Sequence, residues 1–160
     1  LKLVGVVGNE SRIKSMEFMS VVDGLAVDNF DFILFMMLKA RYYNCDYITF
    51  VNSCDRIEEI VKVRDKNIYL THGQWLNHNK LEEEIASIKL RHFQKSKTMI
   101  DYCLFGHIHS ALITDSYARG ASLVGANGYS DKKLNIHSSC VSQNIGFVGD
   151  SIEIMSIKLN

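Results

Sequence analysis

The chain has 160 residues, of which 47% are hydrophobic and 22% are charged, a composition typical of a globular domain that buries its own core. Its 18 basic and 18 acidic side chains cancel, so the overall charge does not favour binding to nucleic acid or to a membrane surface, although the sum is blind to a local basic cleft. No apolar run approaches the ~18 residues that span a bilayer, and we expect no membrane association.

The chain begins without the layout of a secretory signal, and its four cysteines are scattered without a CxxC pair. We therefore expect reduced thiols in a cytoplasmic protein, with a disulfide between two of them as the minor alternative. No repeat, linker or low-complexity stretch divides residues 1–160, which predicts a single domain.

Apolar patterning predicts the first elements of the fold. Leu3 to Val7 is a short apolar run that ends at a glycine, which is typical of a fully buried strand that stops at a turn. From about Asp28 to Arg41 the pattern predicts a helix, with Asp28 or Asn29 as its N-cap. This helix is apolar on nearly all sides, which favours a central place in the core. Tyr47 to Val51 is rich in β-formers and predicts a strand.

The rest of the chain predicts one hairpin, one helix and several strands. Ile60 to Val63 and Ile68 to Thr71 flank a polar turn, as the strands of a hairpin do. Asn79 to about Lys95 predicts a helix that begins with a capping box of Asn79 and Glu82. Further short strands are predicted at Tyr102 to Phe105, Ala111 to Thr114, Ser122 to Val124, Ile145 to Val148 and Ile152 to Leu159. Helices and strands thus interleave first and strands dominate later, which predicts a layered α/β fold.

Three of the predicted strands end in side chains that can bind a metal ion: Asn9, then His72, then His107 with His109. In layered α/β folds, ligands bind where strand ends meet their loops, and a glycine beside each polar residue lets the backbone turn sharply. Amide oxygen and imidazole nitrogen are both ligands for Mn, Fe, Ni or Zn. His107 and His109 are two residues apart, so on a strand end they would face the same way.

Each of these signals is weak by itself. A single histidine after a strand is usually exposed or hydrogen-bonded, Gly-Asn is a turn signal, and a chance HxH is not rare. Their joint occurrence at the ends of three strands is what favours a site. His78, His92 and His137 have no such setting and are interpreted as surface or packing residues, and Cys103 is interpreted as core.

The order Gly8-Asn9-Glu10, Thr71-His72-Gly73 and Gly106-His107-Ile108-His109 resembles the later motifs of the calcineurin-like metallophosphoesterases. Gly8 to Arg12 is similar to the first of these loops in phage-encoded members, and Ser122 to Gln143 resembles their C-terminal section. The resemblance implies an α/β fold of layered sheets flanked by helices, incomplete at its N-terminus, with this chain as the C-terminal part.

The resemblance also implies roles for individual residues. Asn9, His72 and His107 would bind one divalent ion and His109 a second, with Mn²⁺ as the first choice and Fe, Ni, Zn or Mg as alternatives. Such enzymes hold two ions that activate a water for attack on phosphorus and stabilise the attacking and leaving oxygens together. The implied substrate is a phosphodiester, including nucleic acid. Arg12 would either contact phosphate or be a plain surface charge.

The chain departs from this family pattern in two ways. The first two family motifs, a DxH and a GDxxD-like loop, belong upstream and are absent, and with them the bridging aspartate and most ligands of the second ion. The histidine that is thought to help protonate the leaving group is replaced by Glu10, which is ionised at neutral pH and then has no proton to donate. We therefore expect the chain alone to bind at most one ion tightly and to be inactive.

Three hypotheses remain open. The chain is part of an active phosphoesterase completed by a separate chain or segment, or a catalytically inactive relative that serves as a binding or assembly subunit, or a structural domain whose histidines hold one zinc ion or nothing. Because a strand such as Leu3 to Val7 needs neighbours, we also expect a homo-oligomer or a partner chain to cover it.

Overall fold

A computed structural model describes residues 1–9, 11, 28–123 and 141–159 of the protein, with the backbone alone at residues 141 and 142. The elements follow in the order β1 (Lys2–Leu3), α1 (Phe30–Arg41), β2 (Thr49–Phe50), β3 (Glu58–Val63), β4 (Lys66–Thr71), α2 (Leu81–Ser96), β5 (Tyr102–Phe105), β6 (Leu112–Ile113), β7 (Tyr117–Arg119), β8 (Val141–Val148) and β9 (Ile152–Leu159). Five strands form a central mixed sheet in the order β3-β4-β5-β7-β6. The predicted α/β class, with sheets flanked by helices, is confirmed.

The central sheet buries apolar side chains on both faces. One face packs on helix α2 through the cluster Tyr69, Leu81, Ile85, Ile88, Ile100, Cys103, Phe105 and Tyr117. The other face carries Ile68, Tyr102 and Ala118, against which the β8–β9 hairpin places Ile152 and Ile154. Side chains alternate along a strand, so the neighbours Tyr102 and Cys103 belong to different clusters. The core position predicted for Cys103 is confirmed, since its side chain is fully buried.

Helix α1 begins after Asn29, whose side-chain oxygen accepts a hydrogen bond from the Asp31 amide at 2.8 Å. Asn29 was one of the two predicted caps. The predicted central place of this helix is wrong, because Phe35 is its only buried side chain. Phe35 packs on Val7 and Cys54, beside the small β1–β2 sheet. That sheet has two residues in each strand and is too small to cover the other apolar side chains, which are exposed: Phe30, Ile33, Leu34, Met36, Met37 and Leu38.

The strand predicted from Leu3 to Val7 is much shorter in the structure. Only Lys2–Leu3 is strand, paired in parallel with β2. At Gly5 the side chain of Asn52 takes the place of a neighbouring backbone: its Oδ1 accepts from the Gly5 amide at 3.1 Å and its Nδ2 donates to the Gly5 carbonyl at 2.6 Å. A side-chain amide can satisfy one residue but cannot continue a ladder, so the strand ends there although Val7 is buried.

The later elements agree better with the sequence. The β3–β4 hairpin and strands β5 and β9 lie where they were predicted. The capping box is wrong, because α2 begins after Lys80 without a side-chain cap, and the Asn79 amide instead donates to Asn77 Oδ1 at 3.1 Å. Strand β7 was missed, and Ser122 is buried but not in a strand. No helix in the part of the chain that the structure describes is long and apolar enough to cross a membrane.

Candidate functional site

Two loops of the candidate site leave neighbouring strands at the same edge of the central sheet. His72 directly follows β4, and His107 follows β5 after one glycine. Because β4 and β5 run in parallel, their carboxyl ends meet. The two loops also bond to each other, since the Gly106 amide donates to the His72 carbonyl at 2.9 Å. This bond fixes the position of one histidine backbone relative to the other.

The third loop, which carries Asn9, is held by the start of helix α1. The Gly8 amide donates to Asp31 Oδ2 at 2.9 Å, and the Asn29 side chain donates to the Gly8 carbonyl at 2.7 Å. Asn29 is 3% exposed, so its amide is committed to this loop and to the helix cap. The N-cap side chain and one side chain in the first turn of α1 therefore bond both backbone groups of Gly8 and place Asn9 next to the histidines.

The structure brings Asn9, His72 and His107 into direct contact. His72 Nε2 lies 2.7 Å from Asn9 Oδ1, an oxygen that only accepts, so the imidazole N–H donates in this bond. His107 Nδ1 lies 3.3 Å from the same His72 nitrogen, and the two rings meet edge to face at 5.2 Å. His72 Nε2 thus lies within 3.3 Å of two other atoms that can bind a metal ion, Asn9 Oδ1 and His107 Nδ1.

These distances suit a divalent ion in place of the shared proton. Two atoms bound to one ion at about 2.1 Å are about 3.0 to 3.4 Å apart in octahedral or tetrahedral geometry. The 3.3 Å pair already has this spacing, and the 2.7 Å pair needs to open by a few tenths of an ångström. Within the described residues no group of three or more His, Cys, Asp or Glu side chains is placed to hold a metal ion, so an ion bound by His72 and His107 would need the Asn9 amide as a third protein ligand.

The backbone around the histidines adopts conformations that are costly for most residues. Gly73 has a φ of 101°, which strains any residue other than glycine, and a Cβ there would also lie in a tight contact of 3.3 Å with the Phe105 ring. His107 and His109 have φ values of 72° and 60°, in the left-handed region. Such conformations persist only where the surrounding structure enforces them, and they concentrate at functional sites.

His109 is placed differently from the prediction. It lies in an irregular segment after β5 rather than on a strand end, so the alternation that would turn His107 and His109 the same way does not apply. Its Nδ1 is buried and makes no hydrogen bond in the structure. A buried imidazole nitrogen without a partner is costly, and it is the kind of atom that a bound ion or water satisfies. Glu10 and Arg12 lie outside the described residues, as does His137.

His78 lies beside the candidate site and packs on one of its histidines, which agrees with its prediction as a surface or packing residue. Its ring stacks on that of His107 at 5.8 Å, and its Nε2 lies 3.1 Å from the Gly73 carbonyl. Burial lowers the pKa of His78, and electrostatic interactions with Arg119 and His107 lower it further, against the opposing effect of the Gly73 carbonyl. The sequence signal for this location is the position of His78 between β4 and α2, because this connection starts at the same sheet edge as His72. His92 instead packs beside Tyr69, as predicted.

Comparisons with known proteins give distant structural matches only. No family model matches the sequence, and no curated protein matches it. Vps29 from Entamoeba histolytica, crystallised with Zn²⁺, is 17% identical with a TM-score of 0.45, over 64% of this chain and 61% of that one.

A predicted phosphoesterase from Streptococcus pneumoniae is 14% identical with a TM-score of 0.45, over 80% of this chain and 83% of that one. A single mutant of the Entamoeba Vps29 is 13% identical with a TM-score of 0.46, over 98% and 99%. The chain therefore spans less than two thirds of the first of these structures, and matches at these TM-scores do not establish a shared family.

Proposed function

We propose that the chain supplies a metal-binding half-site of a metallophosphoesterase and that the ion is held by Asn9, His72 and His107. The observation that carries this proposal is the convergence of Asn9 Oδ1, His72 Nε2 and His107 Nδ1 from three separate loops. The order of the loops in the sequence, and the glycine that each contains, support the resemblance to the family's later motifs.

The chemistry of the three atoms narrows the choice of ion. Two imidazoles and one amide oxygen are neutral, and such a set suits Mn, Fe, Ni or Zn better than Mg, which prefers an all-oxygen octahedron. Mn²⁺ remains the first ion to test, with Zn²⁺ beside it. In a complete site the ion would polarise a phosphoryl oxygen of a phosphodiester, nucleic acid included. The three side chains would hold the ion in place.

A second function, that of a catalytically inactive binding or assembly subunit, is favoured by the lack of a carboxylate ligand among the residues that the structure describes, which do not include Glu10. Among the described residues no Asp or Glu joins the three ligands, so nothing there bridges a second ion. The exposed apolar side of α1 would serve either function. It offers a surface on which a second copy of the chain, or a chain that carries the missing motifs, can bury apolar area.

Metal binding is tested by titration of the metal-free protein with Mn²⁺ and Zn²⁺ in a calorimeter, together with elemental analysis. We expect one tightly bound ion per chain and a loss of binding in His72→Ala and His107→Ala. His92→Ala is the matched control, because this histidine of α2 packs on Tyr69 away from the site. Two tightly held ions per chain, or equal binding by all three variants, would contradict the proposal.

Catalysis is tested with a bis-aryl phosphodiester and manganese, with and without a chain that carries the missing motifs. The half-site proposal expects activity only in the mixture, and a further rise when Glu10→His restores a proton donor, which typically contributes ~10²–10⁴-fold. A metal-loaded mixture that remains inactive in both forms favours the assembly subunit instead.

A further inference from the structure

Arg119 closes the loop that carries His107 and His109. In the sheet it lies opposite Phe105, the last residue of β5, and also opposite Leu112, the first residue of β6. The loop between these two strands therefore leaves the sheet and returns to it at the same residue of β7. Any change in how Arg119 is bonded acts on both ends of the loop.

The Arg119 side chain extends into this loop and forms two hydrogen bonds with Ser110, the residue after His109. Its Nε donates to the Ser110 carbonyl and its Nη2 donates to Ser110 Oγ, each at 2.8 Å. A guanidinium offers such parallel donors in a fixed plane, whereas a lysine ammonium is a single point. One planar group thus fixes both the backbone and the side chain of the same loop residue.

These two hydrogen bonds require the charged guanidinium to be partly removed from water, which is unfavourable in free energy, whereas a contact at the surface would leave it solvated. Arg119 is half-buried, and burial lowers the pKa of its guanidinium. In the described part of the chain no Asp or Glu forms an ion pair with it, so its acceptors are neutral oxygens of the loop. The same loop holds the two left-handed histidines, whose conformations need external enforcement.

We propose that Arg119 is a positioning residue: through Ser110 it holds the His107–His109 loop so that His107 Nδ1 faces His72 Nε2. Its effect on metal binding rests on the function proposed above, but its effect on the histidine geometry does not. Positioning groups of this kind typically change metal affinity 10–100-fold when they are removed.

The variants Arg119→Lys and Ser110→Ala separate the effect of the two hydrogen bonds from the effects of charge and folding. Arg119→Lys keeps the positive charge but loses the planar pair of bonds, and Ser110→Ala loses only the bond to Oγ. Arg91→Lys is the matched control, because this exposed arginine of α2 bonds to Glu58 away from the site. Urea unfolding of each variant confirms that it is folded before the site is compared.

Two readouts are needed. In the metal-free protein, histidine-ring NMR should show the His72–His107 ring contact in the parent and in Arg91→Lys, a weaker contact in Ser110→Ala and loss of it in Arg119→Lys. Mn²⁺ or Zn²⁺ affinity should fall ~10-fold or more in Arg119→Lys and less in Ser110→Ala. In the double variant the losses should not add, because both remove the same interaction.

A ring contact that persists unchanged in Arg119→Lys would overturn the proposal. So would unchanged metal affinity combined with a selective loss of inorganic phosphate binding, which would make Arg119 a direct anion ligand. If the parent binds no metal at all, the proposed function fails, while the ring contact in the metal-free protein still decides the role of Arg119.

Discussion

Asp31 in helix α1 bonds to the backbone of Gly8: its Oδ2 accepts a hydrogen bond from the Gly8 amide at 2.9 Å. Its other oxygen, Oδ1, accepts from the Ser11 hydroxyl at 2.8 Å. One carboxylate in the first turn of the helix therefore fixes the loop on both sides of Asn9. The first turn is also where the helix dipole favours a negative charge.

Asp31→Ala should lower the free energy of unfolding by about 3 kcal/mol or more, since Asp31 accepts two hydrogen bonds and bonds to charged groups contribute about 1.5–3 kcal/mol each. Urea unfolding measures this loss. Metal affinity should fall as well, because the Asn9 loop loses its anchor. Asp46→Ala is the control, at an exposed acid before β2. Equal losses of stability in the two variants would show that the contacts of Asp31 carry no special weight.

Gly8→Ala should disturb the site by steric crowding alone. A Cβ at this position would lie 3.2 Å from both Cε1 and Nδ1 of His72 and 3.3 Å from Asp31 Oδ2. Crowding of this kind typically costs about 1–3 kcal/mol, and it would push the His72 ring away from Asn9. Denaturation and metal titration measure the two effects.

The control for this change is Gly149→Ala, in the turn between β8 and β9, where the added Cβ meets only the Ser151 carbonyl at 3.9 Å. This variant should keep the stability and the metal affinity of the parent. If Gly8→Ala does so too, the close packing of Gly8 on His72 is not present in solution.

His92 should make stability depend on pH. Burial lowers its pKa from the usual value of about 6.5, and Arg91 lowers it further, while Glu58 acts in the opposite direction. The unfolded chain therefore binds the proton more readily than the folded one, so stability is greatest above the unfolded pKa and falls as the pH drops below it. His92→Gln should flatten the stability profile between pH 7 and pH 5 in urea unfolding. An unchanged slope would exclude this residue as its source.

The described cysteines should differ in reactivity. Burial raises the pKa of Cys103 to about 11, and burial with the nearby charges of Asp31 and Asp55 does the same for Cys54. Because the thiolate is the reactive form, both should resist a thiol reagent at pH 8 in the native protein. Cys45 is partly exposed and should react first. Mass mapping after a brief alkylation, with a sample in urea as the control, measures the order.

The sequence predicted the short strands of the central sheet better than it predicted the environment of helix α1. The hairpin and β5 could be predicted because short β-rich runs end at clear turn signals. The same signals indicated that polar residues follow the ends of these strands. The environment of α1 was not readable, because apolar residues on all sides of a helix indicate burial whether or not the neighbours that would bury them are present. The specific contact of His78 with His107 could not be predicted, because it depends on the direction of the chain after Gly73, where φ is 101°.

The cap of α2 shows a second limit. Asn79 and Glu82 have the spacing of a capping box, but Asn77 two residues earlier offers the Asn79 amide an oxygen first. Two overlapping local signals compete there, and propensity alone does not decide which of them prevails.

The separation of the site residues along the chain has a consequence for folding. Asn9 and His72 are 63 residues apart, and His72 and His107 are 35 apart. No local segment contains the site, so two long loops must close before its atoms meet. The entropic cost of closing these loops therefore arises before the contacts between the site residues can offset it. In a refolding experiment, the contacts between these three side chains should therefore appear after helix α2 and the β3–β4 hairpin, whose contacts are local, and so report the last step at which the chain reaches its native arrangement.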